Sequence, residues 1–568
     1  MKKMIDLHMH IIPDVDDGSN SIEMSEQMLN MAIEQGVEVI FATSHSSAHE
    51  EDTEYTRHQY RKLQKMIKDK ELPIKVCLGC EMLYDIRYVD RILNDLECGR
   101  LPSLNGTRYV LTELFYGLGK DVMYYLNLLQ EKGWIPVIAH AERMDDLSID
   151  IIREIRDAGC KIQINAYSIV EETDEVTKGR ALALLDNQLV DFVGSDAHRL
   201  DHRPPAVEKG IDYLYENYEE QYVDDILYNN AMNLIVNKKV EAEQIESNLW
   251  IDGLMGVVVG DALGMPVQFL SREDVKSGPI TTMDGFGTYD MSPGTWSDDS
   301  SMALATLDSI REKNGIDYDD IMCRFVNWTS KGEYTPSGKA FDQGNTCIEA
   351  ICNYVRNRDY KSCGKTGEWA NGNGALMRIM PMCLFAYAQY KNKKILLDEA
   401  VEYVHQASAL THNHLRSKMA CGIYFFMIMA ILDEEGMLPD KLQMGIDNAK
   451  CFYKSDVINL VEWSRFGRIS DIKGFAKIPE DEIKSSGYVV DSLEAAVWSL
   501  ITTETFEKGL LKAVNLGDDT DTIGAIAGGL AALHYGYNNI PAAWRNAIIK
   551  GKEIIALCEL VEEKFYVR

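Results

Sequence analysis

The N-terminal part of the chain alternates short apolar, β-rich runs with amphipathic segments. Seven such runs lie at 4–7, 37–42, 74–79, 109–111, 135–139, 161–164 and 190–193. The segments between them place apolar residues at helical spacing, as Ile22, Leu29 and Ile33 do before Gly36. Alternation of this kind predicts parallel strands connected by helices and closed as a barrel.

The pattern changes after Val236. A polar stretch at 237–247 predicts a linker, and no strand-like run recurs beyond it. Segments such as 419–432 and 493–500 have helical periodicity and are separated by glycine-rich loops. We therefore expect two domains, an α/β barrel at residues 1–240 and a mainly helical domain at residues 248–568.

Composition narrows the range of partners. The 568 residues include 58 Lys and Arg against 89 Asp and Glu, which gives a net charge of −31, and 46% are hydrophobic. The hydrophobic fraction excludes a disordered chain. The negative charge disfavours general nucleic-acid binding or an anionic membrane as partner.

The apolar runs give no sign of a targeting or membrane-spanning segment. The start reaches Asp6 and His8 before any apolar segment forms, and the longest apolar run, 423–432, is shorter than a bilayer span. We expect a cytoplasmic protein whose 12 cysteines are reduced thiols.

Polar side chains follow the predicted strands, where the catalytic residues of βα barrels collect. They are His8, His45, Glu81, Glu113, His140, Asn165 and Asp196. His8 and His10, two residues apart, lie on one face of a strand end and can reach one metal. With Asp17 and His198 close to two of these strand ends in sequence, mixed imidazole and carboxylate ligands predict a cluster of manganese, iron or zinc ions.

These residues stand in motifs that resemble the polymerase and histidinol phosphatase (PHP) superfamily, most closely the bacterial capsule-type tyrosine-protein phosphatases. The motifs are DLHMH at 6–10, DDG at 16–18, TSH at 43–45, GCE at 79–81, LTE at 111–113, HAER at 140–143, QINA at 163–166, SDAH at 195–198 and HRPP at 202–205. The resemblance covers about residues 1–240 and implies a distorted (β/α)7 barrel that hydrolyses phosphomonoesters at a site of up to three metal ions.

The same resemblance implies the site residues. The metal ligands would be His8, His10, Asp17, His45, Glu81, Glu113, His140, Asp196 and His198. Arg143 and Arg203 would hold phosphate oxygens while water activated by the metals attacks phosphorus. Ser44 and Ala141 replace prolines that are usual in the family, and both changes leave the ligands intact.

The C-terminal region carries two clusters of hydroxyls and carboxylates, WSDDS at 296–300 and GDDTDT at 517–522. Either cluster alone is most often a helix N-cap with a solvated acidic turn. Two such clusters together can instead form an all-oxygen site for magnesium or manganese.

The surrounding blocks resemble the ADP-ribosylglycohydrolase family over about residues 248–568. They are GVVVGDALGMPVQ at 256–268, GTWSDDSSM at 294–302, NGNGALMRIMP at 371–381, LTHNHLRS at 410–417, GYVVDSL at 487–493 and GDDTDTIG at 517–524. The resemblance implies an all-α orthogonal bundle with two Mg²⁺ or Mn²⁺ ions. Their ligands would be Ser297, Asp298, Asp299, Asp519, Asp521 and Thr522. Asp298 and Asp299 would activate the attacking water.

The resemblance also implies a substrate site. Its residues would be Asp261, Gly372, Asn373, Gly374, Arg378, His412 and Tyr488. The glycines would bring backbone N–H groups near a diphosphate, Arg378 or His412 would add charge or a hydrogen bond, and Tyr488 would either stack on a ring or belong to the core. Gln268 replaces a common glutamate and weakens any acid role there.

The two constellations together predict a bifunctional hydrolase. The C-terminal domain would cleave the N- or O-glycosidic bond of ADP-ribosylated proteins or small molecules. The N-terminal domain would act on phosphotyrosine proteins or on small sugar or nucleotide phosphates. Two alternatives stay open, namely an ADP-ribose sensor with a regulatory phosphatase domain, and two-step processing of a phosphorylated ADP-ribose derivative.

Overall fold

The computed structural model describes residues 2–114, 121–170, 174–236, 245–454 and 457–567. By its internal contacts the chain divides into two compact units, Met1–Val240 with Ser277–Pro279 and Glu241–Lys276 with Ile280–Arg568. Each unit has its own apolar core. Residues 237–244 of the predicted linker lie outside the described residues.

The described residues of the first unit form eight parallel strands. They are β1 (Met4–Met9), β2 (Val37–Ala42), β3 (Lys75–Leu78), β4 (Glu81–Tyr84), β5 (Tyr109–Leu114), β6 (Ile135–Ile138), β7 (Lys161–Asn165) and β8 (Phe192–Gly194). They form a three-stranded sheet in the order β1-β2-β3 and a five-stranded sheet in the order β4-β5-β6-β7-β8. Single bridges, Met9 with Ala197 and His45 with Glu81, join strand ends of the two sheets.

The closed seven-stranded form of the expected barrel stays a prediction, since the strands fall into two sheets that single bridges join. The predicted run at 74–79 ends early, because β3 pairs with β2 while a separate strand begins at Glu81 and pairs with β5. Gly79 lies at the break, and a Cβ there would lie 2.9 Å from Leu104 Cδ2. The alternation of parallel strands with helices is present as predicted.

In the described part of this unit, ten α-helices connect and follow these strands. They are α1 (Ile22–Glu34), α2 (Ser46–Glu51), α3 (Thr53–Asp69), α4 (Val89–Glu97), α5 (Val122–Glu131), α6 (Ile149–Asp157), α7 (Glu175–Asp186), α8 (Glu208–Asn217), α9 (Glu220–Asp224) and α10 (Asn230–Val236). Side chains of Ser21, Asp52, Ser148 and Asp174 accept backbone N–H bonds at helix starts, which fixes where α1, α3, α6 and α7 begin.

The second unit is helical, as predicted. Its helices are α11 (Leu249–Gly264), α12 (Arg272–Ser277), α13 (Asp298–Lys313), α14 (Tyr318–Lys331), α15 (Asn345–Asn357), α16 (Tyr360–Cys363), α17 (Met380–Lys391), α18 (Leu397–Ala409), α19 (Leu415–Asp433), α20 (Leu438–Tyr453), α21 (Val457–Trp463), α22 (Ile472–Phe475), α23 (Val489–Ile501), α24 (Phe506–Val514), α25 (Thr520–Tyr535), α26 (Ala542–Ala547) and α27 (Gly551–Phe565). The orthogonal arrangement stays a prediction.

Glycines let α11 and α25 pack backbone to backbone. A Cβ on Gly260 would lie 2.0 Å from the carbonyl oxygen of Gly524, and one on Gly256 would lie 2.3 Å from that of Gly528. Close approach of this kind excludes any side chain, so the sequence spacing of these glycines sets the helix contact. The contact holds the start of α25, with Asp521 and Thr522, beside the end of α11.

Two helices of this unit are long and apolar enough to cross a membrane, Leu249–Val267 and Leu415–Asp433. Both are mostly buried inside the protein, at 94% and 78% of their most apolar segment. Burial of this extent is typical of central helices in a folded core.

Two candidate metal centres

The structure brings the nine predicted ligands of the N-terminal unit to one end of its strands. His8 and Glu113 lie close to the ends of β1 and β5, whereas Glu81 follows the end of β3 and is the first residue of β4. The others follow β1, β2, β6 and β8; they are His10, Asp17, His45, His140, Asp196 and His198. Parallel strands place their carboxyl ends at one edge, which is why residues nearly two hundred positions apart meet here.

Glu81 is the hub of this histidine-carboxylate centre. Its carboxylate oxygens lie 2.8 Å from His140 Nε2, 3.0 Å from His45 Nδ1, 3.3 Å from His10 Nε2 and 3.4 Å from His8 Nε2. Burial opposes ionisation of Glu81, but the four imidazoles outweigh it and hold the pKa of this carboxyl well below its usual range.

Three groups of donors are close enough to hold ions. Ligand atoms within 4.8 Å of one another occur in the sets His10, Asp17, His45, His198; His8, His10, Glu81; and His45, Glu81, Glu113. The side chains of Asp17, His45 and Glu113 are 64%, 35% and 30% exposed, so this side of the centre faces solvent. The mixed nitrogen and oxygen donors fit manganese, iron or zinc.

Asp16, which the motif analysis did not assign as a ligand, supports the centre from behind. Its Oδ2 lies 2.7 Å from His10 Nδ1 and accepts the backbone N–H of His45 at 3.0 Å. Burial opposes protonation of His10, but the bonds to Asp16 and Glu81 outweigh it and raise the His10 pKa to about 10. An acid bonded to the far nitrogen of a ligand histidine fixes its ring orientation.

The two predicted phosphate-binding arginines lie beside Asp196. Arg143 Nη2 donates to Asp196 Oδ2 at 2.7 Å, and Arg203 Nη1 donates to the same oxygen at 2.9 Å. Arg143 also donates to the hydroxyl of Tyr167. The arginine side chains are 26% and 29% exposed, which leaves both reachable from solvent. Their role with phosphate stays a prediction.

The second centre forms where the starts of α13 and α25 meet. Ser297, Asp298 and Asp299 begin α13, while Asp519, Asp521 and Thr522 begin α25, and each is less than one-tenth exposed. Helix N-termini favour negative charge through their free N–H groups and dipoles. The oxygen donors present are those that Mg²⁺ or Mn²⁺ prefers.

The carboxylates of this centre have no balancing cation in the described chain. Burial, followed by repulsion from neighbouring acids, raises the pKa of Asp298, Asp299 and Asp521 well above the usual range. Asp299 Oδ1 and Asp521 Oδ2 are buried and have no hydrogen-bond partner among the described residues. Oxygens left unpaired in this way fit bound divalent cations, since burying such groups uncompensated is costly.

A cavity of about 220 Å³ opens over the centre. Its lining residues are Gln268, Phe269, Asp298, Asp342, Gly344, Asn345, Thr346, Cys347, Gly372, Asn373, Gly374, Met377, His412, Asp519 and Thr522. Four of the predicted substrate residues line this cavity, namely Gly372, Asn373, Gly374 and His412. Asn373 Nδ2 donates to Asp519 Oδ2 at 2.6 Å, which ties the glycine-rich loop to the ligand cluster.

Three predicted substrate residues do not line this cavity. Asp261 is fully buried and accepts from the N–H groups of Ser297 and Ser300, so it fixes the start of α13. Arg378 is 1% exposed and donates to Ala407 and Thr411. The guanidinium of Arg416 lies over the ring of Tyr488, with its Cζ 5.9 Å from the ring centroid.

The interpretation of Arg378 as a charge on the diphosphate is therefore corrected, because its guanidinium points into the core. His412 also brings no charge, since burial, followed by the charge of Arg378, lowers its pKa to about 3. A neutral imidazole at the cavity wall can only exchange a hydrogen bond with a ligand.

Asp342 is a cavity residue that the motif analysis missed. Its Oδ2 accepts from Gln268 Nε2 at 2.8 Å, and its Oδ1 accepts from the Tyr289 hydroxyl at 2.6 Å. The charge of Asp342 helps to raise the pKa of each of the four ligand aspartates. The sequence signal that could have indicated Asp342 is its position two residues before Gly344, which directly precedes helix α15.

The fold and the two donor sets define a two-domain hydrolase of the metal-dependent class. The family model described as ADP-ribosylglycohydrolase matches residues 247–568, and the model described as capsular polysaccharide synthesis, CpsB/CapC, matches residues 4–236. The chain belongs to the ADP-ribosylglycohydrolase family through its C-terminal part, and its N-terminal part belongs to the CpsB phosphatase family.

Curated relatives match each part separately. ADP-ribosylarginine hydrolase Tri1 of Serratia proteamaculans is 31% identical over 55% of this chain and 78% of its own length. ADP-ribosyl-(dinitrogen reductase) glycohydrolase of Rhodospirillum rubrum is 29% identical over 52% of this chain and 88% of its own. Tyrosine-protein phosphatase CpsB of Streptococcus pneumoniae is 31% identical over 42% of this chain and 100% of its own. The chain thus joins two hydrolase-type domains.

Proposed function

We propose that the protein is a bifunctional hydrolase with two independent sites. Residues 248–568 would release ADP-ribose from arginine side chains, and residues 1–240 would hydrolyse phosphotyrosine. The observation that carries the proposal is the presence of two chemically different donor clusters, one mixed imidazole and carboxylate and one all-oxygen. Two such clusters favour turnover over a sensor that only binds ADP-ribose.

In the C-terminal site two Mg²⁺ or Mn²⁺ ions would be held by the six predicted ligands. When bound they would supply positive charge beside the ribose hydroxyls and the attacking water. Asp298 lines the cavity and can take the proton of that water as oxocarbenium-like charge develops on the ribose. Asn373 and the adjacent Gly372 and Gly374 leave room for a diphosphate to approach backbone N–H groups.

Charge favours arginine as the acceptor. The cavity lining includes Asp342 and Asp298 and, among the described residues, no lysine or arginine. A guanidinium leaving group carries a positive charge that such a lining attracts. The relative from Serratia, which is named an ADP-ribosylarginine hydrolase, supports the same acceptor.

In the N-terminal site the nine predicted ligands would hold up to three ions of manganese, iron or zinc. When bound, the ions would supply Lewis acidity at a phosphoryl oxygen. Arg143 and Arg203 both donate to one oxygen of Asp196. Their remaining N–H groups can donate hydrogen bonds to phosphate oxygens. Because the exposed side of the centre is open, a phosphotyrosine on a protein surface can reach it, as the name of the Streptococcus relative supports.

Crossed assays of two variants test the proposal. His45→Ala should abolish hydrolysis of a phosphotyrosine peptide and leave release of ADP-ribose from ADP-ribosylarginine unchanged. Asp299→Ala should do the reverse, with Mn²⁺ supplied in both assays. ADP-ribosylserine and a generic aryl phosphate serve as alternative substrates. Loss of both activities in either variant would contradict independent sites, and wild-type inactivity on both primary substrates would refute the proposal.

A further inference from the structure

The second unit contains another cavity, of about 450 Å³, whose lining shares no residue with the cavity over the carboxylate cluster. Its lining residues are Asn314, Gly315, Ile316, Tyr318, Phe385, Gln389, Lys394, Tyr403, Lys564 and Phe565. They come from α17, α18, the start of α14, the end of α27 and the segments that follow α13 and α17. The volume is that of a small-molecule site. We call it the lysine-rimmed cavity.

Its charge is opposite to that of the protein as a whole. In a chain of net charge −31, two lysines line this cavity and no carboxylate does so among the described residues. Neither Lys394 nor Lys564 forms an ion pair with a described acid, and Lys564 Nζ donates to the Arg311 carbonyl at 2.8 Å. Two ammonium groups that form no such ion pair attract an anion locally even though the surface overall repels one.

Gln389 supplies a donor that the protein does not use. The residue is 8% exposed, and its Nε2 has no hydrogen-bond partner among the described residues. A buried amide N–H₂ left unpaired carries a desolvation cost, which a ligand acceptor in the cavity would remove. The ligand should therefore carry a hydrogen-bond acceptor at its buried end.

Aromatic rings form much of the remaining wall. Phe385 packs against Phe565 with ring centroids 5.1 Å apart and against Tyr403 with centroids 6.2 Å apart. Tyr318 lies beside Tyr403, to whose carbonyl oxygen its hydroxyl donates at 3.4 Å. Aromatic walls of this kind favour a flat ring over an aliphatic chain or a sugar.

We propose that the lysine-rimmed cavity is a second ligand site of the C-terminal domain, and that it binds a nucleoside phosphate. The base would pack against the aromatic wall and accept a hydrogen bond from Gln389 Nε2. The phosphate would lie at the rim with Lys394 and Lys564. This assignment does not depend on the hydrolase activities, because no residue of the cavity belongs to either metal centre.

Calorimetric titration of the full chain with AMP tests the site. We expect saturable binding that is at least ten-fold tighter for AMP than for adenosine, ribose 5-phosphate or inorganic phosphate. The Lys394→Ala/Lys564→Ala variant should weaken AMP binding by about ten-fold or more, since two charge-assisted bonds are lost. The control Lys450→Ala/Lys552→Ala removes two exposed lysines elsewhere in the unit and should bind AMP as the wild type does.

Two further variants distinguish AMP binding at this site from binding in the cavity over the carboxylate cluster and from a simple charge effect. Asp299→Ala should leave AMP affinity unchanged, whereas Gln389→Leu should weaken it while both lysines remain. The Lys394→Ala/Lys564→Ala variant should keep wild-type release of ADP-ribose from ADP-ribosylarginine. Equal AMP affinity in that variant and the wild type would overturn the proposal. So would loss of AMP binding in Asp299→Ala, or ribose 5-phosphate binding as tightly as AMP.

Discussion

The two candidate metal centres bury carboxylates in opposite ways. In the N-terminal unit Glu81 lies among four imidazoles, which hold the pKa of its carboxyl well below the usual range. In the C-terminal unit Asp299 and Asp521 lie among other acids, and burial with that repulsion raises their pKa values well above it. The described chain balances much of the charge at the first centre and leaves the carboxylates of the second without a balancing cation.

This difference predicts opposite effects on folding. At the histidine-carboxylate centre, removing a negative charge leaves buried cations unpaired and should destabilise the metal-free protein. At the all-oxygen centre, removing a negative charge relieves repulsion and should stabilise the metal-free protein. Replacing a carboxylate with its amide therefore tests the expected effect at both centres.

The largest effect should come from Glu81→Gln. The amide keeps the size of the side chain but removes the charge that faces four histidines. Breaking a buried ion pair on one side costs about 3–5 kcal/mol, so we expect a loss of that order in the free energy of unfolding of the first unit. Urea unfolding in EDTA, followed by hydrogen exchange of peptides from this unit, measures it.

Glu113→Gln is the matched control. Glu113 is 30% exposed, and its nearest imidazole nitrogen, on His140, is 3.9 Å away, so the same change should cost less than about 1 kcal/mol. Equal losses in the two variants would contradict the view of Glu81 as the hub.

The second largest effect concerns how each centre is held in place. The N-terminal ligands follow strand ends, whereas Asp521 and Thr522 depend on the glycine contact of α25 with α11. Gly260→Ala would place a Cβ 2.0 Å from the Gly524 carbonyl oxygen and force the helices apart. We expect a loss of about 3 kcal/mol in the second unit, measured by urea unfolding.

Gly179→Ala, in α7, controls for helix propensity. A Cβ there meets nothing within 4 Å, so the change should stabilise by about 0.5–1 kcal/mol. A similar gain from Gly260→Ala would show that the helices do not pack as closely as described.

The sequence predicted the parts of this comparison that depend on local pattern. Strand β2 begins at Val37 and ends at Ala42, as the apolar run indicated, and all nine motif ligands of the first centre lie together. It did not predict features that depend on long-range packing. The break at Gly79 depends on which strand each half pairs with. The proximity of Asp342 to the aspartates depends on how the loop between α14 and α15 packs beside the starts of α13 and α25.

Arg378 and His412 show the same limit at the level of single side chains. Both fall within family blocks, but the direction of the guanidinium is set by acceptors at Ala407 and Thr411. Both residues lie in segments between helices, so helical periodicity cannot distinguish a charge in a cavity from a charge satisfied inside the core.

A buried histidine should make the stability of the first unit depend on pH under mildly acidic conditions. His49 is buried, its ring nitrogens have no hydrogen-bond partner among the described residues, and burial, followed by the charge of Arg57, lowers its pKa to about 3. The unfolded chain binds this proton near pH 6.5, so stability is lost as pH falls below that value. Between pH 7 and pH 5 the loss should be about 2 kcal/mol.

His49→Leu should remove that part of the pH dependence, measured as the free energy of unfolding of the first unit in EDTA at pH 7 and pH 5. His202→Leu, at an exposed position, should retain the wild-type slope. If His49→Leu retains it too, protonation of His49 does not contribute to acid sensitivity.

The smallest effect, and the one of opposite sign, should come from Asp299→Asn. Asp299 is 1% exposed and receives one hydrogen bond, from Ser297, so the neutral amide keeps an acceptor while relieving repulsion from Asp261 and Asp519. In EDTA we expect a gain of about 1 kcal/mol in the second unit. In excess Mg²⁺ the order should reverse, because the wild type gains binding energy that the variant has lost. The control Asp518→Asn changes a nearby exposed residue and should alter the stability in neither condition. Thermal unfolding of both variants, in EDTA and in Mg²⁺, measures these stabilities. A loss of stability for Asp299→Asn in EDTA would mean that the described chain balances this carboxylate without a cation.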